Sequence, residues 1–188
     1  MFASAAALIL LSPLMLFLGM AIALDSGFPI FFSQARVGRR FRQFRLWKFR
    51  TMRASLSGPS ITVAGDSRVT RLGRLLRNSK LDEFPQLWNV FRGDMSLVGP
   101  RPEVPEYVER FRGRYERILA IRPGITDLAS VRFRNEEQLL AAAPEPLREY
   151  VEHVLPIKLD LADEYLRSSS FSKDLKIMAQ TVFVTLWK

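Results

Sequence analysis

Phe2-Ala3-Ser4-Ala5-Ala6-Ala7-Leu8-Ile9-Leu10-Leu11-Ser12-Pro13-Leu14-Met15-Leu16-Phe17-Leu18-Gly19-Met20-Ala21-Ile22-Ala23-Leu24 carries no charged side chain and divides the chain into two unlike parts. As a helix it would reach roughly 34 Å, enough for a hydrocarbon core of about 30 Å. A secretory signal is disfavoured because no basic segment precedes the apolar run, although Ala21-Ile22-Ala23 mimics a cleavage site. Two readings remain open on the residues alone: a straight transmembrane helix, and a re-entrant helix that bends at Ser12-Pro13 and leaves by the face it entered. Pro13 removes one backbone donor and crowds the carbonyl four residues earlier, so a kink is expected there. The Ser12 hydroxyl is placed to satisfy a group so freed. Residues 1–25 are therefore assigned to a membrane helix and 26–188 to one further domain.

Arg36, Arg39, Arg40, Arg42, Arg45, Lys48, Arg50 and Arg53 follow the apolar run with no acidic residue among them. The positive-inside rule puts this side in the cytoplasm, against anionic lipid. The whole chain has 188 residues and a net charge of +9, which calls for an anionic partner. With no cysteine and one histidine, His153, the chain excludes disulfides, thiolate metal sites and cysteine nucleophiles, and disfavours a Ser–His–Asp triad. His153 itself is read as a surface helix residue.

Pro29 to Gln34 and Phe41 to Met52 have the composition of a small strand hairpin around Val37-Gly38-Arg39, with Phe44 and Leu46 on one face and Trp47 and Phe49 on the other. Ser55 to Ser67, with Gly58-Pro59, reads as a loop. A helix is expected over 69–78, with Leu72, Leu75 and Leu76 on its apolar side and Arg71, Arg74 and Arg77 opposite. A second helix starts at Asp82, and Gly93 to Pro105 reads as a loop. Further helices are expected over 106–121, 136–142 and 145–167, the last broken by Pro156, with a strand near Pro123-Gly124. The tail from Phe171 is amphipathic, with Leu175, Met178, Ala179, Val182 and Phe183 at helical spacing, and suits either a core or an interfacial helix. The fold class is α/β, mostly helical.

Two stretches stand out chemically. In Arg77-Asn78-Ser79-Lys80-Leu81-Asp82-Glu83-Phe84-Pro85, two adjacent carboxylates stand at a helix start beside two cations. Asp82 would serve there as an N-cap. The competing reading makes it a nucleophile, since a carboxylate can attack phosphorus to form an acyl phosphate when cations offset the repulsion. In Gly99-Pro100-Arg101-Pro102, Pro100 and Pro102 clamp the backbone around one arginine, which suits either a rigid turn or a guanidinium preset for phosphate.

Asp82-Glu83-Phe84-Pro85-Gln86-Leu87-Trp88-Asn89-Val90, followed by Gly93-Asp94-Met95-Ser96-Leu97-Val98-Gly99-Pro100-Arg101-Pro102, resembles the signature of the monotopic phosphoglycosyl transferases, the bacterial sugar transferase family. Ser12-Pro13, Lys48-Phe49-Arg50-Thr51-Met52, Pro123-Gly124-Ile125-Thr126 and Asp174-Leu175-Lys176-Ile177 match in the same order. The resemblance implies a re-entrant helix broken at Ser12-Pro13 and a monotopic enzyme on the cytoplasmic face of the bacterial inner membrane. It implies Asp82 as nucleophile and ligand of Mg²⁺, with Glu83 supporting the dyad. Arg77 and Arg101 would bind phosphate, with Lys48 and Arg50 close by and Pro100 and Pro102 shaping the loop. The implied reaction moves a sugar 1-phosphate from a UDP-sugar to polyprenyl phosphate through an aspartyl-phosphosugar, with release of UMP, at the start of cell-surface polysaccharide or glycoconjugate assembly.

The sequence departs from that family in places. The basic-aromatic-aspartate stretch that usually precedes the membrane helix is missing, so a shortened start is expected. Asp127 stands where glycine is common, and Ala129-Ser130-Val131 where alanine-glutamine-valine is common. Phe133-Arg134-Asn135 only partly matches the usual stretch. Ala162 occupies a usually acidic position, with Asp160 and Asp163 nearby. Membrane lipids, polyprenyl phosphate and a UDP-sugar are the expected partners, and a homodimer stays open. A non-catalytic membrane scaffold of the same family is the alternative. A nucleic-acid partner is not expected: residues 69–92 can be drawn as helix-turn-helix, but the second helix opens with two carboxylates and is apolar.

Overall fold

The computed structural model describes residues 2–53 and 61–186. Gly58-Pro59 and the last two residues of the expected tail, Trp187 and Lys188, lie outside the described residues. Helix α1 runs from Phe2 to Ser26 with Pro13 inside it. The carbonyl that Pro13 leaves without its helical donor belongs to Ile9, and the Ser12 hydroxyl donates to it at 2.8 Å. The Ser-Pro pair thus repairs its own defect, and the helical assignment continues through it.

Strands β1 (Phe31–Val37) and β2 (Gln43–Phe49) form the expected antiparallel hairpin, with Phe31 opposite Phe49 and Val37 opposite Gln43. Both faces of β2 are covered. Leu46 packs with Val90 and Met95, while Phe49 packs with Leu18, Ile22 and Leu76 and so binds α1 to the domain. Helix α2 (Arg71–Asn78) is capped by Thr70, whose hydroxyl accepts from Gly73 N at 2.9 Å. Gly73 is required there, because a Cβ would lie 2.1 Å from the Thr51 carbonyl oxygen. Leu76 is fully buried and Leu72 packs beside it, but Leu75 is exposed, so the apolar side of α2 is narrower than its leucines imply.

Asp82 is not an N-cap. Lys80 takes a left-handed conformation (φ 57°) and a 3-10 turn, Leu81–Glu83, follows it. Helix α3 (Gln86–Arg92) begins only after Pro85, with no side-chain cap. The region expected as a loop, Gly93 to Pro105, contains strand β3 (Ser96–Val98), which pairs in parallel with β4 (Gly124–Thr126). Two stretches distant in sequence are brought together here. A Cβ on Gly124 would fall 2.2 Å from Gly99 N, so the close approach needs glycine.

The single helix expected over 106–121 is two, α4 (Pro105–Arg110) and α5 (Arg112–Ile118), separated at Phe111. Helix α6 (Leu128–Arg132) follows β4, and α7 (Glu136–Ala141) matches expectation. Helix α8 (Pro146–Glu149) passes through a π turn, Tyr150–Val154, into α9 (Leu155–Ser168). Pro156 therefore does not break the path. It sits in the first turn of α9, and the widened turn before it absorbs the donor it lacks. Tyr107, Val108, Tyr115, Ile118, Tyr150 and Leu155 belong to the main core among these helices. Helix α10 (Phe171–Leu186) packs Ile177 against Val98 and Tyr165 and leaves Phe171, Leu175, Val182 and Phe183 exposed, so it is a core helix on one edge and an apolar surface on the other.

Candidate active site

A cleft of about 1010 Å³ is lined by Lys48, Arg77, Asp82, Glu83, Arg101 and Asp127 among others. The side chains arrive from four places: Lys48 from β2, Arg77 from the end of α2, the two carboxylates from the 3-10 turn, and Arg101 from the turn after β3. The left-handed Lys80 reverses the chain between α2 and that turn, which brings Arg77 and Asp82 to one wall.

The two carboxylates differ sharply. Glu83 takes both cations: Lys48 Nζ donates to its Oε1 at 3.0 Å, and Arg101 forks onto it, Nη1 to Oε2 at 3.2 Å and Nη2 to Oε1. Burial opposes the charge of Glu83, but Arg101 and Lys48 outweigh it and hold the carboxyl well below the usual range. Asp82 is buried with only a long contact, Lys48 Nζ to Oδ2 at 3.9 Å, and its Oδ1 has no hydrogen-bond partner among the described residues. Burial, reinforced by the charge of Glu83, pushes the Asp82 carboxyl up, with Lys48 opposing. Burial also draws the Lys48 ammonium down, and Glu83 partly offsets this. The Arg101 guanidinium stays charged because Glu83 and Asp127 outweigh its burial.

A buried carboxylate oxygen with no partner is an unmet demand for a cation or an electrophile. Among the described residues no group of three or more His, Cys, Asp or Glu side chains gathers to hold a metal. A cation here would rest on Asp82 and on oxygens from a ligand, which is how Mg²⁺ is commonly held beside phosphates.

Arg77 lines the same cleft and pairs with Glu137 at 2.8 Å. Pro100 and Pro102 line it on either side of Arg101. Arg50 is elsewhere. It is buried at the end of α1, where Nη2 donates to the carbonyls of Ser26 (2.8 Å) and Gly27 (2.5 Å) and to the Ser26 hydroxyl (2.9 Å). A cation on terminal helix carbonyls meets the negative end of the macrodipole, so Arg50 fastens α1 to the domain.

The sequence assigns no role to Asn89, and it marks Asp127, Asp160 and Asp163 only as departures from the family pattern. Asn89, fully buried, accepts from Trp47 N at 3.1 Å and donates to the Arg45 carbonyl at 2.8 Å, completing the outer edge of β2 as a neighbouring strand would. Asp127 accepts from Arg101 N. Asp160 and Asp163 are turned to Arg114, at 2.8 and 2.9 Å, and clasp α5 to α9, whereas Ala162 faces the cleft. His153 is exposed beside Glu149.

The model of the family described as bacterial sugar transferase matches residues 1–188. The chain belongs to that family. It is 40% identical over 188 residues to a UDP-glucose:undecaprenyl-phosphate glucose-1-phosphate transferase of Caulobacter vibrioides, a match covering 92% of this chain and 62% of the relative. It is 43% identical over 136 residues to a UDP-N-acetylgalactosamine-undecaprenyl-phosphate N-acetylgalactosaminephosphotransferase of Aeromonas hydrophila, covering 69% of this chain and 32% of that protein. An exopolysaccharide production protein of Rhizobium leguminosarum bv. phaseoli is 41% identical over 148 residues, 70% of each chain. The chain thus spans less than two thirds of the first two relatives. Membership of the family agrees with the cleft, where the Asp82–Glu83 pair stands among cations suited to phosphate.

Proposed function

We propose that this sugar transferase moves a sugar 1-phosphate from a UDP-sugar to undecaprenyl phosphate, or a similar polyprenyl phosphate, by two displacements at phosphorus. The observation that carries this reading is the unequal dyad: Glu83 binds Lys48 and Arg101, while Asp82 keeps an oxygen with no hydrogen-bond partner among the described residues. In the first displacement the Asp82 carboxylate attacks the sugar-bearing phosphorus. A P–O bond forms, the bond to the bridging oxygen breaks, and UMP departs with that electron pair. In the second, an oxygen of the polyprenyl phosphate attacks the same phosphorus and Asp82 is released, giving a polyprenyl diphosphate sugar. Arg101, Arg77 and Lys48 line the cleft where the diphosphate charge must be offset. Glu83 fixes the Arg101 fork and the Lys48 ammonium in place. Mg²⁺, resting on Asp82 and donor oxygens, would supply charge neutralisation.

The walls of the cleft suit two unlike substrates. Ala7 and Leu11 of α1 and Met178 and Val182 of α10 line it, opposite the polar residues. Those helices also expose Ile9, Leu10, Phe17, Phe171 and Phe183, a surface suited to lipid. Both ends of α1 touch one domain: Ile22 packs with Phe49 and Leu76, while Ala3 and buried Ser4 share a smaller cleft with Met95 and Met178. This supports a re-entrant helix, bent about Ser12-Pro13, and a monotopic enzyme on the cytoplasmic face of the inner membrane, since a straight crossing would separate the ends of α1 by the bilayer thickness.

The test is UMP release from UDP-sugars in detergent with Mg²⁺ and undecaprenyl phosphate. Wild-type protein is expected to release UMP, and Asp82→Asn to lose at least about 1,000-fold in kcat. Wild-type turnover in Asp82→Asn would remove Asp82 from the chemistry.

A further inference from the structure

Between Pro100 and Pro102 the backbone has one N–H to donate, that of Arg101, because both flanking residues are proline. That N–H is taken by Asp127, whose Oδ2 accepts it at 3.1 Å. The other carboxylate oxygen, Oδ1, accepts from Ser130 N at 2.6 Å and caps α6. Asp127 is buried, so its negative charge is compensated by these donors and by the neighbouring guanidinium rather than by bulk water. The far end of Arg101 is held as well, with Nη1 donating to the Ile125 carbonyl at 3.0 Å and both terminal nitrogens meeting Glu83. Residues 125 and 127 therefore grip Arg101 at its two ends, guanidinium and backbone.

We propose that Asp127 is a positioning residue for phosphoryl transfer, acting through Arg101 by fixing the backbone from which the guanidinium reaches the dyad and the donor diphosphate. This rests on the phosphotransfer reading given above. The device depends on this side chain, because a residue without a carboxylate here could not accept the Arg101 N–H and cap α6 together. A misplacement of about 1 Å in a phosphate clamp is enough to cost large factors in rate, and the Asp127 bond to the Arg101 N–H opposes it from the backbone side.

The alternative is that Asp127 only caps α6, and Asp127→Ser separates the two. Serine is as good an N-cap as aspartate, but its one short hydroxyl cannot serve Ser130 N and Arg101 N together. The experiment measures UMP release and thermal unfolding for wild type, Asp127→Ser and Asp127→Asn, each also in an Arg101→Ala background. Asp127→Ser is expected to melt within about 3 °C of wild type. Its kcat should fall about tenfold, with donor KM changed less than about threefold. In the Arg101→Ala background the same substitution should cost less than about twofold, because the group it positions is gone.

Asp127→Ser with wild-type kcat would overturn the proposal, as would an undiminished loss in the Arg101→Ala background. If Asp127→Ser does not fold, Asp127→Asn carries the same comparison, since the two N–H groups meet different carboxylate oxygens and the amide puts an NH2 donor in place of one of them. Absence of UMP release by wild-type protein would instead strike the phosphotransfer reading, and this inference with it. An active wild type with no coupling between positions 127 and 101 strikes the inference alone.

Discussion

Asp82 and Glu83 are adjacent in the chain, yet the 3-10 turn sends them into different surroundings. Glu83 meets Lys48 and the Arg101 fork, while Asp82 lies buried with one oxygen unpaired among the described residues. A bidentate fork is more than a charge. Arg101 meets both Glu83 oxygens and still donates to the Ile125 carbonyl, a geometry one ammonium cannot reproduce. Arg101→Lys is therefore expected to lower kcat/KM for the UDP-sugar roughly 100-fold, about 2.7 kcal/mol of transition-state stabilisation. Steady-state UMP release measures this, and a loss below about threefold would show that charge alone suffices. The dyad, Lys48, Arg77 and Arg101 were legible in the sequence because they lie in short stretches dense with chemistry. Arg50 was not separable from them, since a basic residue in a basic stretch reads alike whether it meets phosphate or helix carbonyls. Asn89 and Asp127 act across long sequence separations, so their partners, Arg45, Trp47 and Arg101, could not be read from neighbours.

The elements that position the site were legible unevenly. The β1–β2 hairpin followed from alternation and a glycine turn, and α2 and α10 from helical spacing. The parallel pair β3–β4 was only half visible, because three-residue strands carry no period, and their pairing depends on a glycine-to-glycine approach. The capping role of Asp82 failed because the left-handed Lys80 starts a 3-10 turn there and delays α3 until after Pro85. Helix α1 was legible in length and in its Ser-Pro repair, and both of its ends pack against the domain. A topology prediction follows. The chain has no cysteine, so Phe2→Cys creates a unique thiol at the exposed start of α1. It is expected to react with a membrane-impermeant maleimide in inverted inner-membrane vesicles and not in spheroplasts. Labelling in spheroplasts instead would establish a helix that crosses the bilayer.

For the molecule as a whole, the cleft joins a basic polar wall to apolar residues of α1 and α10, and on the proposed reading a charged soluble donor and a lipid phosphate use the same carboxylate in turn. A site shared in this way suits a covalent relay, because neither substrate has to be present for the other to react. The most direct test is the intact mass of the protein after incubation with its UDP-sugar and Mg²⁺ and no lipid acceptor. The protein should gain the mass of one sugar phosphate, located by peptide mapping at Asp82, and lose it when polyprenyl phosphate is added. Sustained UMP release in the complete reaction, with no such adduct at Asp82 under donor-only conditions, would contradict the account.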